Sequence, residues 1–422
     1  MNVQYRIQGG TPLRGTVDIG GSKNAALPLL AGSVLCRGDV TFHNVPRLRD
    51  TDTMLTTLRY LGATTEVRGN DVTVNTDALE SKPIGHELVS KLRGSIVLLG
   101  PLLARFGEVE MAYPGGCVLG KRPVNAHIEA FRQMGIEDQS SNEALRLKGT
   151  LKAAEVILPE FSVTATENVL LAAAMTAGET RIELAAAEPH VQDVCQFLVN
   201  RGVKIGGIGS HSLVVEGTAK HLAGKEHAVV SDYLEAGAFI LAGIASKGLV
   251  TVRGAQRTDL IAFLGALKRA GGQFSWKNNG DLVVDGAASH LRATRIQTNI
   301  FPGFPTDLQA PFGVILTQAE GVSRIFEVLF EGRMAYLYEL EKMGASIEIL
   351  NSHQALIIGP SPLQGRQVPS NDIRAGVAMV LAGLCAQGET IVTDVRYIER
   401  GYDRLEEKLR SLGADIIREE QA

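Results

Sequence analysis

Apolar positions along the chain fall into a pattern that recurs. Ala25-Ala26-Leu27-Pro28-Leu29-Leu30-Ala31-Gly32 and Ala375-Gly376-Val377-Ala378-Met379-Val380-Leu381-Ala382 are apolar throughout. A helix apolar on every face is buried on every face. Such stretches end near a glycine that opens a strand: Leu30-Ala31-Gly32 before Gly38, Leu99-Gly100-Pro101 before Gly107, Leu171-Ala172-Ala173 before Gly178, Leu241-Ala242-Gly243 before Gly248, Val314-Ile315-Leu316 before Gly321 and Leu381-Ala382-Gly383 before Gly388. A second marker interleaves with the first. It is a helix end closing on Gly62, Gly135, Gly202, Gly271, Gly344 or Gly413, each followed by a strand. Glycine just past a helix end is the expected C-cap.

Both markers recur six times, about seventy residues apart. Each repeat reads helix, strand, helix, strand, with another short strand after it. Units this long do not suit a solenoid. They suit two domains of three repeats, built from α/β layers. Each domain is expected to hold three buried helices inside, with sheets and further helices outside, the reverse of an ordinary α/β barrel. The repeat phase places one domain at 22–229 and the other at 1–21 with 230–422, so the first strand crosses over.

Composition narrows the class. The 422 residues are 45% hydrophobic and 21% charged, an ordinary globular balance. A net charge of -4 does not favour nucleic acid as a partner. No apolar run is long enough to span a bilayer, and the N-terminal Met1-Asn2-Val3-Gln4-Tyr5-Arg6-Ile7 reads as a strand, not a signal peptide. Cys36, Cys195 and Cys385 sit in apolar helical context and read as buried thiols of a reducing cytoplasm. The histidines lack metal spacing, so no metal is expected. No Walker loop or dinucleotide fingerprint is present, and no cofactor is expected.

The polar residues of the buried helices gather at one end: Ser22-Lys23-Asn24, Lys91 to Ser95, Ser162 to Thr166, Ser231-Asp232, Pro305-Thr306-Asp307 and Ser370 to Arg374. N-capping accounts for Ser, Thr, Asp and Asn there. It does not account for Lys23, Arg93 or Arg374, because cations at helix N-termini oppose the macrodipole. A bound anion would resolve that conflict, and helix N-termini aimed at one cleft with cations added would make a strong anion site. Arg333 and Arg400 lie in strand-to-helix loops, where an ordinary surface pair is the usual fate. The arginine fork, however, suits carboxylate or phosphate.

One stretch concentrates candidate chemistry. The strand Glu108 to Ala112 runs into Tyr113-Pro114-Gly115-Gly116-Cys117-Val118-Leu119-Gly120-Lys121-Arg122, and a helix is expected from Pro123 with Ile128, Phe131 and Met134 on its apolar face. A thiol beside two cations would have a lowered pKa and could act as acid, base or nucleophile. The plain alternative is a surface turn with an incidental Cys.

Gly21-Ser22-Lys23-Asn24-Ala25-Ala26, Pro114-Gly115-Gly116-Cys117, Gly120-Lys121-Arg122-Pro123, Phe304-Pro305-Thr306-Asp307 and Glu399-Arg400-Gly401-Tyr402, in that order, resemble the UDP-N-acetylglucosamine enolpyruvyl transferase (1-carboxyvinyltransferase) family. The resemblance covers essentially the whole chain. It implies a two-domain inside-out α/β barrel and transfer of enolpyruvyl from phosphoenolpyruvate to the 3-hydroxyl of UDP-N-acetylglucosamine, with release of phosphate. By the resemblance, Lys23, Arg122 and Arg400 would hold the phosphate, and Arg333 and Arg374 the carboxylate, of phosphoenolpyruvate. Asn24, Arg93 and Asp307 would contact the sugar nucleotide, with Leu329 at its edge. Arg122, Pro123, Val124, Asn125 and Ala126, with Ser162 and Val163, would bind the UDP part. Cys117 would be the general acid, and Asp307 could take the hydroxyl proton.

That step belongs to peptidoglycan synthesis and cell wall biogenesis. It would tie the chain to cell shape, cell cycle and cell division, place it in the cytoplasm, and make it a target of fosfomycin. Three positions depart from the family: Asn125 stands for a usual Asp, Glu160 for a frequent Lys, and His190 for a frequent acid. The alternatives are the related 3-phosphoshikimate enolpyruvyl transferase, against which Cys117 argues, and a catalytically silent paralogue that binds a sugar nucleotide.

Overall fold

The apolar stretches form the helices Lys23–Gly32, Leu99–Phe106, Val163–Ala174, Tyr233–Ala245, Gln309–Thr317 and Ile373–Cys385 in a computed structural model that describes residues 3–114 and 124–420. Every residue of Tyr233–Ala245 and of Gln309–Thr317 is buried, as is Lys23–Gly32 from Ala25 onward. One polar exception is tied down on three sides. Asn168, inside Val163–Ala174, accepts from the Gly100 amide at 2.6 Å and donates to the carbonyls of Ile96 and Thr164 at 3.0 Å. It thereby joins two neighbouring helices through groups that would otherwise be buried without partners.

The chain divides into two units, Gly21–Val230 and Met1–Gly20 with Ser231–Ala422. The first has one residue more at each end than the 22–229 read from the repeat phase. Each unit has its own continuous apolar core. In the second unit, the helices Tyr233–Ala245, Gln309–Thr317 and Ile373–Cys385 pack on one another. Around them lie three four-stranded sheets. Gly321–Phe326, for example, pairs parallel with the short Arg295–Gln297 and antiparallel with Gln354–Gly359, which pairs antiparallel with Ser346–Asn351. Strand burial alternates, as in Asp39–His43 and Glu108–Ala112, so one face of each sheet covers the helices. The architecture is an inside-out α/β barrel in each unit, with the repeat running short strand, inner helix, strand, outer helix and two strands.

The crossover is visible in the register. Arg14–Asp18 precedes the first inner helix, yet pairs parallel with Leu249–Arg253 of its own unit. His227–Ala228 precedes the fourth inner helix, yet pairs with Asp39–His43. The sixth sheet lacks a last strand from its own repeat. Val3–Gln8 supplies it, between Glu389–Thr393 and Asp415–Glu420. In the second repeat the parallel edge shrinks to a single bridge, Ile84 to Met111.

The glycine markers have a backbone reason. Gly62, Gly135, Gly202, Gly271, Gly344 and Gly413 all have φ between 85° and 107°, a region that side chains resist. Five of the other six also have positive φ. At Gly248 the left-handed residue is Lys247, with φ 53°, and glycine is needed for space, since a Cβ would collide with the Leu13 carbonyl oxygen. Among the described residues, no helix is long and apolar enough to cross a membrane.

Candidate active site

Four of the six inner helices are capped by their own side chains. Ser22 accepts from the Ala25 amide and Ser162 from the Ala165 amide, each at 3.4 Å. Asp232 accepts from Leu234 and Glu235, and Asp372 from Arg374 and Ala375. The other two open as 3-10 turns without a side-chain cap, Arg93–Leu98 and Thr306–Leu308. Capping therefore does not explain Asp307.

Its carboxylate lies between two cations. Arg333 Nη1 donates to Oδ1 at 2.8 Å, and Arg374 Nη2 approaches Oδ2 at 2.9 Å. The arginine side chains are 4% and 7% exposed, that of Asp307 26%. Burial pushes the Asp307 carboxyl up, but the guanidinium groups of Arg374 and Arg333 outweigh it and hold the group well below the usual carboxylate range. Arg374 Nη1 also donates to the Tyr402 hydroxyl at 3.0 Å and lies over the Tyr402 ring. Arg333 lies over Phe330, 5.1 Å from the ring centre. Gly401 is required beside Tyr402 because a Cβ there would strike Ile373. The macrodipole conflict at Arg374 is thus met by an internal carboxylate.

Sequence reasoning missed Glu327, which is fully buried and holds this cluster's frame. Its Oε1 accepts from the Thr298 hydroxyl and from the amides of Leu329 and Phe330, and its Oε2 from the Thr306 hydroxyl. One side chain joins the segment carrying Asp307 to the loop carrying Leu329 and Arg333. Nothing in the local sequence marks it, since its partners lie on both sides of a helix and a strand. Leu329 is 38% exposed, and Arg400 ends the half-buried turn Val395–Arg400.

In the other unit, Lys23 Nζ lies 3.3 Å from the buried Asp50, again an internal anion at a cationic helix start. Asn24 follows in the first turn of the same helix, and the Arg93 turn packs against that helix. Segments 124–126 and 162–163 are joined by a side-chain contact that sequence reasoning also missed. His127 Nε2 lies 3.0 Å from the Thr164 hydroxyl. Burial pushes the His127 imidazole down to about 4, against a backbone hydrogen bond at Val124 and with Arg93 acting in the same sense. It is neutral at physiological pH and serves as a fixed strut.

Cys117, Lys121, Arg122 and Pro123 lie outside the described residues. The described helix is Asn125–Gln133, and the start expected at Pro123 lies outside the described residues. Ala130, Phe131 and Met134 are buried in the core, and Ile128, half-buried, packs at its margin. The Asn125 and Glu160 side chains are exposed, whereas His190 is buried in Pro189–Val199. Burial pushes the Cys36 thiol up to about 11 and the Cys195 thiol to about 12, leaving both unreactive at neutral pH. Among the described residues, no group of three or more His, Cys, Asp or Glu could hold a metal ion.

A family model described as EPSP synthase (3-phosphoshikimate 1-carboxyvinyltransferase) matches residues 7–409. The UDP-N-acetylglucosamine 1-carboxyvinyltransferase of Psychromonas ingrahamii is 42% identical over 417 residues, covering 98% of this chain and 99% of that protein. That of Campylobacter fetus subsp. fetus is 42% identical over 415 residues, covering 98% of each. Among solved structures, the enolpyruvyl transferase NikO from Streptomyces tendae superposes with a TM-score of 0.89 at 22% identity, and an EPSP synthase from Acinetobacter baumannii with 0.77 at 19%, each over 100% of both chains. These two share the fold. With a family match spanning nearly its full length and relatives of this identity, the chain belongs to the EPSP synthase family of enolpyruvyl transferases.

Proposed function

We propose that this chain transfers the enolpyruvyl group of phosphoenolpyruvate to the 3-hydroxyl of UDP-N-acetylglucosamine and releases phosphate. The observation that carries the reading is the 42% identity, across 98% of the chain, to enzymes named for that transfer. The cluster of Asp307, Arg333 and Arg374 supplies chemistry suited to it.

In this reading Lys23, Arg122 and Arg400 hold the phosphate, and Arg333 and Arg374 the carboxylate. Asn24, Arg93 and Asp307 contact the sugar nucleotide, with Leu329 at its edge. Pro123, Val124, Asn125, Ala126, Ser162 and Val163, with Arg122, receive the UDP part, and the His127–Thr164 contact keeps their two segments in register. Cys117 gives a proton to the methylene carbon as the sugar hydroxyl oxygen bonds to the neighbouring carbon, and Asp307 takes the hydroxyl proton. The tetrahedral intermediate then loses phosphate and a methyl proton, which restores the double bond. The fixed cations stabilise charge as it moves onto the phosphate.

The reaction serves peptidoglycan synthesis and cell wall biogenesis in the cytoplasm, and through them cell shape, cell cycle and cell division. Fosfomycin, a phosphonate epoxide that resembles phosphoenolpyruvate, then alkylates Cys117. Transfer to shikimate 3-phosphate is the second reading, favoured only by the family description. Mass spectrometry of the products tests the choice: UDP-N-acetylglucosamine is expected to gain one enolpyruvyl group, and an unchanged sugar nucleotide after prolonged incubation would contradict the proposal.

A further inference from the structure

The two arginines assigned to the substrate carboxylate already hold a carboxylate, and it belongs to the chain itself. Asp307 gives one oxygen to each: Oδ1 to Arg333 Nη1 at 2.8 Å and Oδ2 to Arg374 Nη2 at 2.9 Å. We infer that Asp307 competes with the carboxylate of phosphoenolpyruvate for Arg333 and Arg374, and that substrate binding displaces it and frees it to act as the base. The inference rests on the enolpyruvyl-transfer reading.

Four observations carry it. Asp307 is the outermost member of the cluster, its side chain 26% exposed over arginines that are 4% and 7% exposed, so its departure uncovers them. Its contacts use one terminal nitrogen of each arginine, while Arg333 Nε is buried without a partner among the described residues. A carboxylate lying in the plane of the guanidinium takes two parallel hydrogen bonds, which the Asp307 contact with Arg333 does not. Asp307 also does nothing for the helix start, which opens as a 3-10 turn without a side-chain cap. Finally, both arginines keep other supports once it leaves: Arg374 has the Tyr402 hydroxyl at 3.0 Å, and Arg333 has the Phe330 ring.

Held between the arginines, Asp307 is a poor base, because both stabilise its charged form. Exchange removes that restraint at the moment the substrate arrives. The base is therefore switched on by one substrate, phosphoenolpyruvate, and acts on the hydroxyl of the other. The exchange also sets a penalty on substrate affinity, since only chains whose arginines are open bind.

An ordinary structural ion pair predicts the opposite consequence on mutation: arginines that lose their organising partner bind the substrate worse. Calorimetric titration of the full chain with phosphoenolpyruvate alone separates the two. Asp307→Ala is expected to bind about tenfold more tightly than the parent chain, while its turnover collapses. Asp307→Asn, which keeps the shape and folds if the alanine variant does not, is expected to shift affinity in the same direction by less. Unchanged or weaker binding by the folded variants overturns the exchange, even if the parent chain releases phosphate normally with the sugar nucleotide. Failure of the parent chain to release phosphate sinks the enolpyruvyl-transfer reading itself. Absence of phosphoenolpyruvate binding by all three proteins also overturns the exchange.

Discussion

Replacing Glu327 by alanine removes four hydrogen bonds at once and leaves two backbone amides, Leu329 and Phe330, without their acceptor. A buried donor left unsatisfied costs about 1–3 kcal/mol. Glu327→Ala is therefore expected to lower stability in urea denaturation by roughly 3 kcal/mol or more, and to depress turnover because the Arg333 loop loses its tie to the Asp307 segment. Glu327→Gln keeps an acceptor for both amides and a donor for Thr306, so it should recover most of both losses. Equal damage from the two substitutions would mean that the charge, and not the hydrogen-bond frame, is what matters. The same pairing recurs in each unit: Lys23 with Asp50, and Arg374 with Asp307, place internal acids on cations that the helix starts disfavour, and Asp307 holds Arg333 as well. The sequence exposed the cations and hid their partners. Lys23 and Asp50, or Asp307 and Arg374, are far apart along the chain, and no local periodicity links them.

At the scale of elements, the glycines divide by cause. Gly202 has φ 91° and open space where a Cβ would point, so alanine there meets backbone strain alone. Gly271 has φ 87°, and its Cβ would run into the His290 carbonyl. Gly202→Ala should cost about 1–2 kcal/mol, and Gly271→Ala distinctly more, because the His290 strand connection must also move. Comparison of the two urea midpoints checks this, and equal costs would show that the carbonyl yields freely. These turns were legible in the sequence because a left-handed residue past a helix leaves a visible mark, glycine, at each repeat. The six buried helices were legible for a similar reason: they lack a polar face. The 3-10 openings at Arg93 and Thr306 were not legible, because Thr306 and Asp307 look like good caps and only the tertiary pull of Glu327 and the arginines diverts them.

For the whole molecule, two apolar cores and two sets of three buried helices follow from one repeated pattern. The N-terminal strand Val3–Gln8 completes the sixth sheet, and that closure was legible only as a crossing of the repeat phase. The pairing of Arg14–Asp18 and His227–Ala228 with repeats that they do not precede was not legible, since a run as short as His227–Ala228 carries no register of its own. The chemistry is the part that the repeat cannot specify, because it rests on residues that differ from one repeat to the next. Phosphate release from phosphoenolpyruvate by the purified chain, measured with each acceptor in turn, tests the central claim most directly. Release with UDP-N-acetylglucosamine, and none above background with shikimate 3-phosphate, is the predicted result. Release with shikimate 3-phosphate, or with neither acceptor, would contradict it.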